Sequence, residues 1–222
     1  FERRPVEQFF NLESDPHEVK NLAADPTYAK RLGDMRRLLR DKMKSINDLS
    51  FYHENRMVSA ALEDGVAFGR EHAKQISRLS DLADLALRPF SEVQQTLTQA
   101  LQSKGVLRRY WALKVCTNFG NKAKPLVKVA ESLLDDKNLM TRVRAAEFLG
   151  SIKAVDPMPT LYGVVNTAET EQALMIAFNT IVYLRDQIGH KYDPSKVNLK
   201  FNKGEVYRRV QYLAGTEPNT NY

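Results

Sequence analysis

Arg142-Val143-Arg144-Ala145-Ala146-Glu147-Phe148-Leu149-Gly150 places small and apolar residues at the spacing of a helix face, with Ala145, Leu149 and Ile152 three and four residues apart. Two other segments align with it. Arg109-Tyr110-Trp111-Ala112-Leu113-Lys114-Val115 lies upstream, and Ala173-Leu174-Met175-Ile176-Ala177-Phe178-Asn179-Thr180-Ile181 lies downstream. Ala112, Ala145 and Ala177 fall in register, which gives a period of about 33 residues. A small side chain at the same place in each copy lets neighbouring helices approach closely.

Each copy has a second apolar run before it. The first helices are expected to bury Val93, Leu97 and Leu101, then Leu126, Ala130 and Leu133, then Leu161, Val164 and Val165. The second helices are expected to bury Trp111, Val115 and Phe119, then Ala145, Leu149 and Ile152, then Leu174, Ala177, Phe178 and Ile181. The Arg142–Gly150 segment resembles the second helix of a HEAT repeat, and the other two copies keep the pattern loosely. One pair cannot bury both of its faces, so adjacent pairs must stack. Val206, Val210 and Leu213 suggest a closing helix. The predicted fold class is therefore mainly α, a HEAT-like solenoid of stacked antiparallel helix pairs over residues 85–222; an irregular helical bundle is the alternative. Trp111, Ala145, Leu149 and Phe178 should lie inside.

Residues 49–84 read as a connection. Asn47 to Glu54 is irregular and aromatic, and Glu71 to Leu87 returns to helix with Ile76, Leu79, Leu82, Ala83 and Ala86 on one face. Residues 1–48 read as strand, turn and helix. Gln8 to Leu12 is short and aromatic, Asp15-Pro16 marks a turn, and Asp25-Pro26 starts a helix. In that helix Tyr28, Leu32, Met35, Leu39, Met43 and Ile46 form one stripe among many Lys and Arg residues.

Gln8 to Ala23 resembles the C-terminal signature of sulfatases, E-L-Y-D-L-x-x-D-P-x-E-x-x-N-L-A. Leu12, Asp15, Pro16, Glu18, Asn21, Leu22 and Ala23 match, while Phe10 and Asn11 depart from the Tyr and Asp of the pattern. The connecting segment and the repeat are similar to extended bacterial sulfatases of the heparan N-sulfatase kind. The resemblance implies a parent enzyme hydrolysing sulfuric esters or sulfamates, located in the periplasm or outside the cell. It implies an upstream alkaline-phosphatase-like domain carrying formylglycine and calcium, and a last strand joined to a closing helix in residues 1–48. The signature is architectural, so it assigns no catalytic residue here.

The residues themselves add none. Cys116 is followed by Thr117, Asn118, Phe119 and Gly120, so the C/S-x-P-x-R motif that matures to formylglycine fails at both its Pro and its Arg. Spacing puts Cys116 on an apolar helix side, as a buried thiol. His17, His53, His72 and His190 are scattered, with no H-E-x-x-H pair. We therefore assign no catalytic, cofactor-binding or metal-ligating residue and name no binding residue.

The formal charge of +6 with 43% apolar residues describes a globular chain with a basic surface. One cysteine excludes an internal disulfide, and no apolar run is long enough to span a membrane. The chain begins at Phe1 with no leader, which reads as a piece of a longer protein. Three functions are weighed. The first is a non-catalytic C-terminal part of a sulfatase, whose partner is the catalytic domain of the same protein and whose repeat braces the enzyme or makes a homo-oligomer contact. The second is an independent HEAT-like scaffold that binds a protein. The third, a nucleic-acid binder, is disfavoured because Glu131, Asp135, Asp136 and Glu147 interrupt the basic residues. A basic surface is also compatible with a sulfated glycan. The Gln8–Leu12 strand, without its sheet, should be disordered, packed on the helices, or paired with another copy.

Overall fold

The computed structural model describes residues 5–198 and 204–216. The chain is mainly α-helical. The helices are α1 (Ala29–Ser45), α2 (Glu54–Ala60), α3 (Gly65–Glu71), α4 (Ala73–Ala83), α5 (Phe90–Leu101), α6 (Val106–Phe119), α7 (Val127–Glu131), α8 (Leu139–Ser151), α9 (Met158–Thr167), α10 (Glu171–Tyr183) and α11 (Gly204–Ala214).

Local chemistry sets several helix starts. The Asn138 side chain accepts from Thr141 N at 3.0 Å to open α8, and Thr170 Oγ1 accepts from Ala173 N at 3.3 Å to open α10. Side-chain spacing then sets the packing. α6 lies against α8 and α8 against α10, while α5 packs on α6 and α9 packs on both α8 and α10. The registered alanines Ala112, Ala145 and Ala177 are fully buried on these helices, as are Leu149 and Phe178. α4 packs against α6 at one end of the row, and α11 covers α10 at the other, burying Val206 and Leu213.

Gly150 shows how tight the row is. A Cβ there would sit 2.7 Å from Pro157 Cγ and 3.1 Å from Leu184 Cδ2. Both neighbours belong to rigid packed surroundings, so Gly150→Ala should destabilise the fold by roughly 1–3 kcal/mol through overpacking. Chemical denaturation would show it, and a neutral or stabilising substitution would mean that the Pro157 turn moves aside freely.

The structure corrects the expected elements in four places. The first concerns the strand at Gln8–Leu12: no strand occurs among the described residues. The segment is extended coil because a side chain takes the place of a partner strand. Phe9 N donates to Asn21 Oδ1 at 3.0 Å, and Asn21 Nδ2 donates to the Glu7 carbonyl at 3.2 Å. A single backbone bond, Leu22 N to Phe9 O at 2.7 Å, joins the two arms. Next, the first helix of the middle copy is broken. Gly120 adopts φ +56° and Pro125 lacks an N–H, so residues Gly120–Leu126 wind as a 3-10 helix and α7 has only five residues. The predicted Glu71–Leu87 helix, third, is divided into the end of α3, α4 and a 3-10 turn at Asp84–Leu87. Last, Trp111 is half-buried rather than enclosed.

Trp111 nonetheless occupies the junction of the fold. It packs against all three apolar clusters: one around α9 and α10, one around α5 and α6, and one formed by Phe51, Tyr52, Phe68, Ile76 and Leu79. Its Nε1 donates to the Phe51 carbonyl at 2.8 Å. No described helix is long and apolar enough to cross a membrane.

Candidate interaction surfaces

Asp15 accepts from Val19 N at 3.0 Å and Lys20 N at 2.8 Å, and these two donors hold its carboxyl below the usual range. Asn21 ties the arms of the loop, and Leu22 is buried. These residues act on backbone and packing. His17 is exposed.

The other histidines are each engaged locally. His72 stacks on Phe68 at 4.1 Å and donates from Nδ1 to the Phe68 carbonyl at 2.9 Å. His190 donates from Nε2 to the Gly150 carbonyl at 2.8 Å. His53 lies 5.3 Å from the Tyr110 ring. Cys116 is fully buried, and burial pushes its thiol up to about 12. Among the described residues no three of His, Cys, Asp and Glu come together as metal ligands.

A first surface forms where the residues before and within α2 cross the second helices of the row. Phe51 is pinned by Trp111, His53 sits on Tyr110 of α6, and Thr170 Oγ1 donates to Asn55 Oδ1 at 2.6 Å at the start of α10. Beneath this strap, cations gather on aromatic rings. The Arg144 guanidinium lies 5.2 Å from the Tyr110 ring centroid, and Lys114 Nζ lies 4.6 Å from that of Trp111. Glu147 pairs with Arg144. Burial lowers the Lys114 ammonium, Arg144 lowers it further, and Glu147 opposes them. This cluster is not legible in the sequence because its members sit on three segments; only the aromatic and basic composition of residues 109–114 points towards it.

His53 makes the strap sensitive to acid. Burial depresses it to about 4 from an ordinary 6.5, and Arg144 and Arg56 push the same way. Its Nδ1 accepts from Arg56 N at 3.2 Å, which requires the neutral ring and caps α2. A depressed histidine contributes stability that is present above pH 6.5 and is lost as pH falls from 6.5 towards 4. After allowance for its partial exposure the loss should be about 1–2 kcal/mol. Hydrogen-exchange protection factors over residues 47–60, with the intrinsic pH dependence of exchange divided out, should therefore fall across that window, and His53→Phe should remove the step. An unchanged step in that variant would assign it to other groups.

A second surface is α1. It holds seven Lys and Arg against two Asp, a net +5 of the chain's +6. Arg36 pairs with Glu7, Arg40 with Asp84 at 3.7 Å, and Lys44 with Asp81, which ties the inner side of the helix to its neighbours. The expected apolar stripe is present, yet of its members only Leu32 is buried, while Met35, Leu39 and Ile46 are exposed, with Leu38 beside them.

Comparison with protein-family models, with curated proteins and with solved structures finds no match.

Proposed function

We propose that the chain is the non-catalytic C-terminal region of a sulfatase acting on sulfuric esters or sulfamates, located in the periplasm or outside the cell. The observation carrying this reading is the Asp15–Leu22 turn. Three of the residues that match the sulfatase signature have defined architectural tasks: Asp15 gathers two backbone N–H groups, Asn21 bridges both arms, and Leu22 plugs the interior. A chance resemblance in sequence would not require those positions to be the ones that hold the loop. The exposed apolar face of α1 supports the same reading, since the catalytic domain of the parent would cover it.

In this proposal residues 1–48 close the sulfatase C-terminal subdomain, 49–84 connect, and 85–222 form a HEAT-like stack that braces the enzyme or joins two copies. The successive packing of α6, α8 and α10 with burial of their registered alanines supports the stack. The test is the reading frame upstream of Phe1. It should encode C/S-x-P-x-R, and the expressed parent should hydrolyse an aryl sulfate in a calcium-dependent manner while this chain alone does not. A reading frame that starts with Met just before Phe1 and lacks the motif would overturn the proposal. It would favour the second reading, an independent helical scaffold whose open α1 face binds a protein.

A further inference from the structure

Three titratable groups meet on the Tyr110 ring. The His53 ring lies 5.3 Å from it, the Arg144 guanidinium 5.2 Å and Lys114 Nζ 5.9 Å. Glu147 is the carboxylate that acts on both cations, and it is already paired with Arg144. Two largely buried cations therefore share one carboxylate beneath α2, and Arg56 of α2 adds positive charge near His53. Arg144 Nε has no acceptor. His53 meets none of these demands, because its ring is neutral and its Nδ1 accepts from Arg56 N of its own helix. Charges withdrawn from water need partners, and this set is one acid short. The cover over it is thinly held. α2 buries no residue, and among the described residues its one side-chain hydrogen bond to the helix row is Thr170 to Asn55, at 2.6 Å.

We propose that α2 is a displaceable cover over a carboxylate-recognition site, and that an acidic peptide takes its place, setting a Glu or Asp side chain where the His53 ring now lies. The incoming carboxylate accepts from Lys114 and from the Arg144 guanidinium, so that two cations face two acids. Charge-assisted hydrogen bonds of this kind are roughly twice as strong as neutral ones. The peptide class follows from the shape of what is vacated. That space is a short helix laid against α10, beside Tyr110 and Trp111, and these are residue types that anchor protein interfaces. A free inorganic anion would satisfy the charges but leave the α10 contact uncovered. A nucleic-acid strand would bring successive phosphates against Glu147, where they repel. The ligand class follows from the charge imbalance under α2 and does not rest on the sulfatase reading.

The first test is made within the chain, at neutral pH. His53→Glu should raise hydrogen-exchange protection over residues 54–60 roughly tenfold above His53→Gln, the gain expected of a charge-assisted bond. Lys114→Met keeps the Arg144–Glu147 pair and removes the excess cation, so in that background the difference should shrink below about threefold. The second test uses a synthetic peptide with the sequence of residues 52–60 and Glu in place of His53, beside a control with Gln there. Both are titrated into the Asn55→Ala chain, which lacks the tie to Thr170, and Trp111, the only tryptophan, reports binding by its fluorescence. The Glu peptide should bind about tenfold more tightly than the Gln peptide. It should bind the unaltered chain more weakly, because there the tethered α2 competes at high effective concentration. Equal protection in the two His53 variants, a preference that survives Lys114→Met, no binding of the Glu peptide, equal affinity of the two peptides, or a larger Trp111 response to inorganic phosphate would each overturn the proposal. None of these arms reads hydrolysis, so their failure is distinct from failure of the sulfatase assignment.

Discussion

Trp111→Ala should lower the unfolding free energy by about 3 kcal/mol, the lower end for loss of a large aromatic, because the ring is half-buried. The effect should also be uneven along the chain. Trp111 touches all three apolar clusters, and its indole N–H holds the Phe51 carbonyl, so the variant loosens the attachment of residues 47–83 to the helix row. Protection from hydrogen exchange should fall first around Phe51, Phe68 and Ile76, with α8 to α10 affected later. Trp111→Phe separates packing from bonding. It keeps a ring beside Phe51, at present 5.4 Å away, but leaves the Phe51 carbonyl without its donor, and should cost about 1–2 kcal/mol. Equal stability of Trp111→Phe and the parent sequence would show that the hydrogen bond contributes nothing.

Glu147→Ala should be comparably damaging, at about 3 kcal/mol, although it removes only a small side chain. Arg144 and Glu147 retain 16% and 17% side-chain exposure. Burial opposes the charge on Arg144; Glu147 and Tyr110 overcome that and raise its proton affinity above the ordinary value. Deleting the carboxylate strands a guanidinium whose Nε already lacks an acceptor. The neighbouring Lys114 loses its one favourable charge at the same time. Arg144→Met combined with Glu147→Leu should recover most of the loss, since an apolar pair of similar volume leaves no charge to satisfy. Urea denaturation of the three proteins reads both effects. A single Glu147→Ala variant costing under about 1 kcal/mol would mean that water reaches the guanidinium readily.

Periodicity made most of residues 85–183 readable. Ala112, Ala145 and Ala177 report a helix spacing directly, because a buried small residue at a fixed interval has few other uses, and the apolar runs around them fall on the buried sides observed. Its failures have local causes. Apolar composition around Leu126, Ala130 and Leu133 implied one helix, but Gly120 and Pro125 act on the backbone and override it. Residues 8–12 have strand-like composition, yet a strand needs a partner, and the Asn21 amide supplied the required bonds first. The α1 stripe was legible as amphipathic, but periodicity reports that a face is apolar and not what covers it. The site under α2 was least legible of all. His53, Lys114 and Arg144 lie far apart in sequence and each reads alone as an ordinary side chain; only the packing of α6 on α8, with the strap across them, brings all three to the Tyr110 ring.

Cys116 turns this interior into its own recording device. The one thiol in the chain lies at zero exposure on α6, amid the cluster formed with α5. A thiol-specific reagent reaches it only through opening of that cluster, and the thiolate it needs is scarce while burial holds the titration near 12. The rate of labelling is therefore a clock for core opening, running without any added probe or engineered site. Under conditions where closing outpaces reaction, the ratio of labelling rates in native and unfolded chains gives the opening equilibrium directly. In Trp111→Ala that clock should run faster, because the ring packs on the cluster that encloses Cys116, and in His53→Phe it should keep nearly the original time, because His53 does not belong to that cluster.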